Sequence, residues 1–288
     1  MRKRLREKLS EAISREELKQ IYDSFDIIGD IAIFKAPKEN AINNEVIAKQ
    51  IMAVHKNVKT VFLQTSPVTG NFRVRELKLV AGENKTVTKY KEAGCTFGVD
   101  VEKCYFSPRL SGERRRIASL IKNDKIVVNM FSGVGCFSIL IGKTSDKPKV
   151  YSIDVNPTAF HFMEDNIRIN RLYSSVIPLF GDSKNIIKNQ LQGLADRVLM
   201  PLPELALKYL PYALIALKPS GGWIHFYDFQ HAVGKENPEE KTKLNVAQKL
   251  ESLGVCYTFG SSRIVRSTGP NWFQTVLDIQ VSSLPSKF

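Results

Sequence analysis

Two glycines spaced by one residue, Gly133 and Gly135, stand between an apolar run, KIVVNMF (125–131), and a helix-like stretch that opens at Cys136. Glycines at a strand-to-helix turn let a ligand approach the backbone, and the amino terminus of the helix offers N–H groups that lack partners. Alone, such a pair is weak evidence, because many turns need glycine. About twenty residues on, KVYSID (149–154) ends in Asp154, a carboxylate able to accept hydrogen bonds from both hydroxyls of a ribose. VIPLFGD (176–182) then brings Asp182 to the end of the following run, placed to receive the exocyclic amine of an adenine. The plainer reading is that both aspartates only cap helices, as Asn156 does ahead of Pro157.

Three successive strand ends bearing Gly/Gly, Asp and Asp suit an adenosine-containing ligand. A nicotinamide-binding dehydrogenase wants a third glycine near Ile139, and the sequence has none there. S-adenosylmethionine is the better match. A second segment that could do chemistry is FSPRLSGERRR (106–116). Read by itself it is a basic turn leading into a helix, with Glu113 either solvated or paired to Arg109 or Arg116.

The elements around these residues fall into two textures. From Lys125 onward, KIVVNMF, KVYSID, VIPLF, ADRVLMPL and WIHFYDF alternate with helical stretches or turns, the pattern of a parallel sheet covered on both faces. Two further strands, near TFGSSRIVRS and WFQTVLDIQV, close the chain and bring the expected sheet to seven. Upstream, residues 25–34 read as a hairpin or a strand with a turn about Gly29 and Asp30, residues 43–55 as a helix, and 58–64, 72–82 and 95–101 as strands. The expected organisation is a charged helix over 1–20, a small α+β domain over 21–106, and a Rossmann-like α/β domain over 107–288.

Bulk properties fit that plan. The chain has 288 residues, 43% of them apolar, enough to build a core. A formal net charge of +13 and a sequence pI near 9.5 point to a polyanionic partner, although a basic balance can also serve solubility alone. Cys95, Cys104, Cys136 and Cys256 form no C-x-x-C pair, so no zinc knuckle or disulfide framework is indicated and a reducing compartment fits best. The amino terminus lacks a secretory signal, and no apolar run approaches the ~18 residues of a membrane span. A cytoplasmic protein, acting as a monomer, is expected.

The sequence resembles the archaeal and eukaryotic tRNA (guanine-37 N1)-methyltransferases and their wybutosine-pathway aminocarboxypropyl relatives. The pieces that carry the resemblance are FRVRELKLVAGE (72–83), VDVEKCYFSPRLSGERRRIA (99–118), VVNMFSGVGCFSI (127–139), IDVNPTAFHFMEDNIRIN (153–170) and ADRVLMPLP (195–203). It implies a class I S-adenosylmethionine-dependent methyltransferase domain acting on tRNA, with Phe131, Val155 and Pro201 joining Gly133, Gly135, Asp154 and Asp182 at the cofactor. Guanine N1 carries a proton that a base must remove as the methyl arrives, while negative charge gathers on O6. The resemblance assigns the base to Glu113, with Arg109 and Arg73 in the catalytic group. Arg75 and Arg114 are assigned to the substrate, and Tyr105 and Phe106 are candidates for stacking an extruded base.

Two positions depart from the family pattern. Pro201 stands where an Asn-Leu-Pro motif would put an amide donor, and Asn129 stands where an Asp is usual. Pro201 keeps aminocarboxypropyl transfer, a bifunctional enzyme that also methylates C7 of an imidazoguanine, and a noncatalytic tRNA-binding homologue in view. The separate amino-terminal domain of many family members is expected to be reduced to a helix or missing. RNA contacts are then expected on the small domain and on Arg263, Arg266 and Lys218, while His225 and Trp272 read as packed structural residues.

Overall fold

The computed structural model describes residues 25–36, 44–70, 72–122 and 124–284, apart from the side chain of Ser283. The helix expected over residues 1–20 lies outside the described residues. The chain divides into two compact units, Met1–Pro108 and Arg109–Phe288.

In the first unit, β1 (Phe25–Ile28) and β2 (Ile31–Phe34) form the expected hairpin. The turn places Gly29 at φ 59°, a conformation costly for residues with a Cβ. β2 runs parallel to β3 (Thr60–Gln64) and β3 antiparallel to β4 (Leu77–Gly82). Helix α1 (Asn44–Val54) buries Ile47, Ala48 and Ile51 against Ala32, Phe34 and Val61. A separate two-stranded ribbon pairs β5 (Val87–Glu92) with β6 (Cys95–Asp100).

Two details differ from the sequence expectation. β5 had no counterpart there, because its outward positions are Val87, Lys89 and Lys91, so the strand shows little apolar content even though Thr88 is buried. The strand expected over 72–82 is confined to Leu77–Gly82. Residues before it turn instead, with Arg73 donating its N–H to the Gly70 carbonyl at 3.1 Å and adopting φ 53°.

The second unit is built on a seven-stranded sheet in the order β12-β13-β11-β10-β7-β8-β9. Its strands are β7 (Ile126–Asn129), β8 (Lys149–Asp154), β9 (Val176–Phe180), β10 (Arg197–Met200), β11 (Gly222–His231), β12 (Cys256–Gly269) and β13 (Trp272–Ser283). Neighbours from β11 through β10, β7 and β8 to β9 are parallel, and β13 is antiparallel to both β11 and β12. This is the mostly parallel, Rossmann-like arrangement the strand and helix alternation predicts. The chain runs outward from β7 to β9 and returns to β10 on the other side of β7. Such a reversal opens a crevice at the carboxyl ends of the two central strands, where ligands bind in this architecture.

Helices α2 (Ser111–Leu120), α3 (Cys136–Thr144), α4 (Pro157–Asn170), the short α5 (Ser183–Ile186), α6 (Pro203–Ala216) and α7 (Pro238–Ser252) accompany the sheet. Local chemistry sets their starts. The Asn156 side chain accepts from Thr158 N–H at 3.0 Å and Ala159 N–H at 3.3 Å, and Asn237 does the same ahead of Pro238. Val198, Met200, Leu210, Leu214, Phe226 and Leu277 belong to one buried cluster that α6 and the central strands share. None of the helices among the described residues is long and apolar enough to cross a membrane. Phe226 is fully buried, so Phe226→Ala should cost about 3–5 kcal/mol, read as a lowered urea midpoint at unchanged slope.

Candidate active site

The loop after β7 is fixed from both neighbouring strands. Met130 N–H donates to the Leu199 carbonyl at 3.0 Å, and Ser132 N–H to the Ile153 carbonyl at 2.8 Å. Asp154 then accepts from Gly133 N–H at 2.6 Å and Asn156 N–H at 2.9 Å, so the carboxylate at the end of β8 holds the glycine loop at the end of β7. Burial pushes the Asp154 carboxyl above its usual range, and backbone N–H groups of Asn156, Gly133 and Val155 recover part of that shift. Gly135 caps α3 at φ 89°, and a Cβ there would stand 3.1 Å from Ile139 Cδ1 and Met163 Cγ.

Asp182 does cap a helix, accepting from Lys184 N–H at 2.8 Å, and its other oxygen accepts from the Tyr209 hydroxyl at 3.0 Å. Burial and this carboxylate push the Tyr209 phenol up to about 12, so it remains a donor. Phe131 packs edge-on against Tyr209, with ring centroids 5.3 Å apart. Val155 is 45% exposed and Phe180 55% exposed, two apolar side chains that β8 and β9 leave open to a flat ligand. Pro201 follows β10 and leads into α6. Asn129 is fully buried; its amide donates to Ser138 Oγ at 3.1 Å, while Oδ1 has no partner. An orphaned acceptor, a carboxylate with lone pairs to spare and open apolar faces together fit S-adenosylmethionine, whose amino group, ribose and adenine need those three things.

Asn129, Leu199, His225 and Asp278 pair in one row across β7, β10, β11 and β13. Paired residues point to the same face of a sheet, so the cofactor end of β7 shares a level with a chain of buried polar groups. Glu113, in the first turn of α2, is 2% exposed. Its Oε1 accepts from the Tyr227 hydroxyl at 2.7 Å and from Arg116 Nη2 at 2.8 Å, and its Oε2 from Arg116 Nε at 3.0 Å. Arg263 reaches to within 3.4 Å of Oε2. On its other side Arg116 donates to Asp278 at 2.6 and 3.1 Å, and Asp278 faces His225 Nδ1 at 2.7 Å.

Protonation in this cluster follows from the donors. Arg197 Nη1 lies 3.0 Å from His225 Nε2 and can only donate, so Nε2 accepts and Nδ1 carries the hydrogen toward Asp278. Burial holds His225 below its usual pKa, consistent with a neutral ring, although the Asp278 contact pulls the other way. For Asp278 burial raises the pKa, but hydrogen bonds from His225 and Arg116 outweigh it and bring the value to about 2. Burial also opposes the Arg116 charge, and its bonds to Glu113 and Asp278 hold the guanidinium above its usual range. Phe137 of α3 lies edge-on to Tyr227 at 6.1 Å, which links this cluster to the helix that starts at Gly135.

The other expected site residues are placed as follows. Arg109 opens the second unit, within the single helical turn Pro108–Leu110, and Arg114 is buried at 3% exposure. In the first unit the Arg73 guanidinium lies 4.5 Å above the Tyr105 ring, and Arg75 donates to Gln64 at 3.3 Å. Phe106 is 5% exposed and edge-on to Tyr90, so it is a core residue, and the stacking surface expected there has no open face. Lys218 pairs with Asp196, just before β10 begins, at the end of the sheet opposite the glycine loop. The contributions of Tyr227, Asp278 and Arg197 went unread in the sequence, and His225 is buried as expected yet bonded at both nitrogens. A signal existed: a charged Asp278 inside WFQTVLDIQV and polar His225 and Tyr227 alternating in WIHFYDF demand partners when buried.

Residues 86–253 match the model of the TRM5/TYW2 methyltransferase domain, and residues 5–86 match that of the TYW2 N-terminal domain. This chain belongs to the TRM5/TYW2 methyltransferase family. The tRNA (guanine(37)-N(1))-methyltransferase Trm5b of Pyrococcus abyssi is 38% identical over 260 residues, covering 90% of this chain and 75% of that protein. The tRNA 4-demethylwyosine(37)-methyltransferase Taw21 of Saccharolobus solfataricus is 36% identical, over 93% of this chain and 97% of its own length. Among solved structures, the complex of aTrm5 and tRNALeu superposes with a TM-score of 0.83 at 34% identity, covering 98% of this chain and 79% of that one. Pyrococcus horikoshii TYW2 in complex with MeSAdo gives 0.78 at 26% identity, over 98% and 99% of the two chains. The cofactor of the family member described here is S-adenosylmethionine.

Two outcomes test this site. Asp154→Asn should weaken S-adenosylmethionine binding roughly ten- to hundredfold by calorimetry, the scale of one lost charged hydrogen bond. Asp278 is held below its unfolded value of 3.8, so its stabilisation is present above that pH and is lost as the pH falls toward about 2. Acid unfolding curves should show the parent losing on the order of 2 kcal/mol more than Asp278→Asn across that window.

Proposed function

We propose that this protein transfers the methyl group of S-adenosylmethionine to N1 of guanosine at position 37 of tRNA. The observation that carries the reading is the likeness to Trm5b across 90% of the chain, joined to a buried Glu113 that reaches the sheet through Tyr227 and, by way of Arg116, Asp278. When bound, the cofactor supplies a methyl on a sulfonium; the N1–C bond forms as the C–S bond breaks, and its electron pair leaves with S-adenosylhomocysteine.

The protein's own groups divide the remaining work. Glu113 takes the N1 proton, through Oε2, whose bonds to Arg116 and Arg263 are the longer ones. Arg109 stabilises the charge that gathers on O6. Arg73 and Arg75 hold the target nucleotide, with Tyr105 as the aromatic surface, while the substrate contact expected of Arg114 does not fit its 3% exposure. The net charge of +13 favours a polyanion such as tRNA. Four free cysteines support the further reading of a protein acting in a reducing compartment such as the cytoplasm.

One observation favours a second reading. Pro201 has no side-chain donor for the guanine edge, and the likeness to Taw21 spans 97% of that protein. Methylation of C7 in 4-demethylwyosine, alone or beside N1 methylation, is therefore the alternative.

Incubation with unmodified tRNA and S-adenosylmethionine, followed by mass spectrometry of the nucleosides, should show one methyl gained on guanosine 37. Product only from tRNA carrying 4-demethylwyosine would replace this reading with the second. Glu113→Gln should lower turnover by about 10²- to 10⁴-fold while S-adenosylmethionine affinity stays near that of the parent. Equal losses in both would sink the assigned division of roles.

A further inference from the structure

The polar chain beyond Glu113 is larger than a general base needs. Arg116 sits between two carboxylates, Glu113 at 2.8 Å and Asp278 at 2.6 Å, and both are almost fully buried. A buried carboxylate paired with an arginine of its own is a poor proton acceptor, because accepting a proton leaves the largely shielded cation, 15% exposed, without a counterion. Asp278 removes that obstacle. When Glu113 is neutral, Arg116 still has a charged partner, and Asp278 is itself held in place by a neutral His225 whose far nitrogen is fixed by Arg197.

Tyr227 acts the other way. Its hydroxyl donates to Glu113 Oε1 at 2.7 Å from β11 and so favours the ionised carboxylate. The groups that face Glu113 are Arg116 from its own helix, Tyr227 from β11, Arg263 from β12 and, through Arg116, Asp278 from β13. Of these, Arg263 stands at the rim with 42% of its side chain exposed, where solvent screens it. The inner three therefore govern the carboxylate.

We propose that Asp278 and Tyr227 are positioning residues that set the proton affinity of Glu113 in opposite directions, Asp278 raising it and Tyr227 lowering it. The proposal rests on the reading of Glu113 as the base for the methyl transfer. It accounts for a charged residue inside a core strand, and for a histidine fixed at both nitrogens with no opening to a substrate.

The test is a carboxyl titration on the full chain. Glutamate labelled with carbon-13 gives a Glu113 resonance identifiable by its disappearance in Glu113→Gln. In Tyr227→Phe its midpoint should rise, and in Asp278→Asn it should fall, each by about half to one pH unit, the equivalent of one hydrogen bond or screened charge. S-adenosylmethionine affinity and a cooperative melting transition serve as controls for folding, with a lowered melting temperature expected in Asp278→Asn because it loses a charged partner of Arg116. Asp278→Asn should also lower kcat with little change in the KM for tRNA.

Midpoints that stay in place, or that move in the same direction in both variants, overturn the proposal. Should Asp278→Asn fail to fold, Tyr227→Phe decides alone: an upward shift supports it and no shift overturns it. Unchanged turnover in Glu113→Gln would instead overturn the assignment of the base, whatever the titrations show.

Discussion

Arg116, a half-buried cation, lies between the buried carboxylates of Glu113 and Asp278 and pairs with both. It ties the first turn of α2 to the middle of β13, two segments 162 residues apart in sequence. Buried ion pairs add little net stability, since desolvation consumes most of the Coulombic gain, yet removing one partner is severe because a charge is left unmatched. The arrangement therefore fixes where α2 sits against the sheet. With α2 go Glu113 and the turn that carries Arg109.

A second constraint operates at the cofactor end. Asp154 holds Gly133 through a backbone hydrogen bond, Gly135 takes a left-handed backbone because it lacks a Cβ, and a side chain there would also press on Ile139 and Met163. Loop and acidic strand end are thus joined directly by a charge-assisted hydrogen bond. Preorganised donors and acceptors of this kind spare the binding step the entropy of ordering a loop. The row from Asn129 through Leu199 and His225 to Asp278 joins this piece to the charge cluster by ordinary strand pairing. The glycine loop stands at the end of a sheet strand, and Glu113 reaches the same sheet from α2 through Tyr227 and, by way of Arg116, Asp278.

The departures from the family pattern have a local logic. Asn129 keeps a hydrogen bond to Ser138 and leaves one acceptor unmatched in a buried setting, so it retains the shape of the usual aspartate without its charge. Pro201 gives up a donor but sits in a Pro-Leu-Pro run that starts α6 without wasting an N–H.

Much was legible from residue order alone. The glycine loop, Asp154, Asp182 and the alternation of apolar runs with helices specify a mostly parallel sheet with the loop and both aspartates at its strand ends, because each signal lies within a few residues of its own strand. β5 escaped notice because a ribbon with lysines on its open face shows little apolar pattern, and the strand expected at 72–76 became a turn around Arg73. Phe106 looked like a stacking surface and is core, since adjacency to a functional segment says nothing about which way a ring faces. The cluster that joins Glu113, Arg116, Tyr227, His225 and Asp278 was decided by tertiary structure. Its members come from α2, β11 and β13, and only strand register and the packing of α2 bring together groups that the sequence holds more than a hundred residues apart.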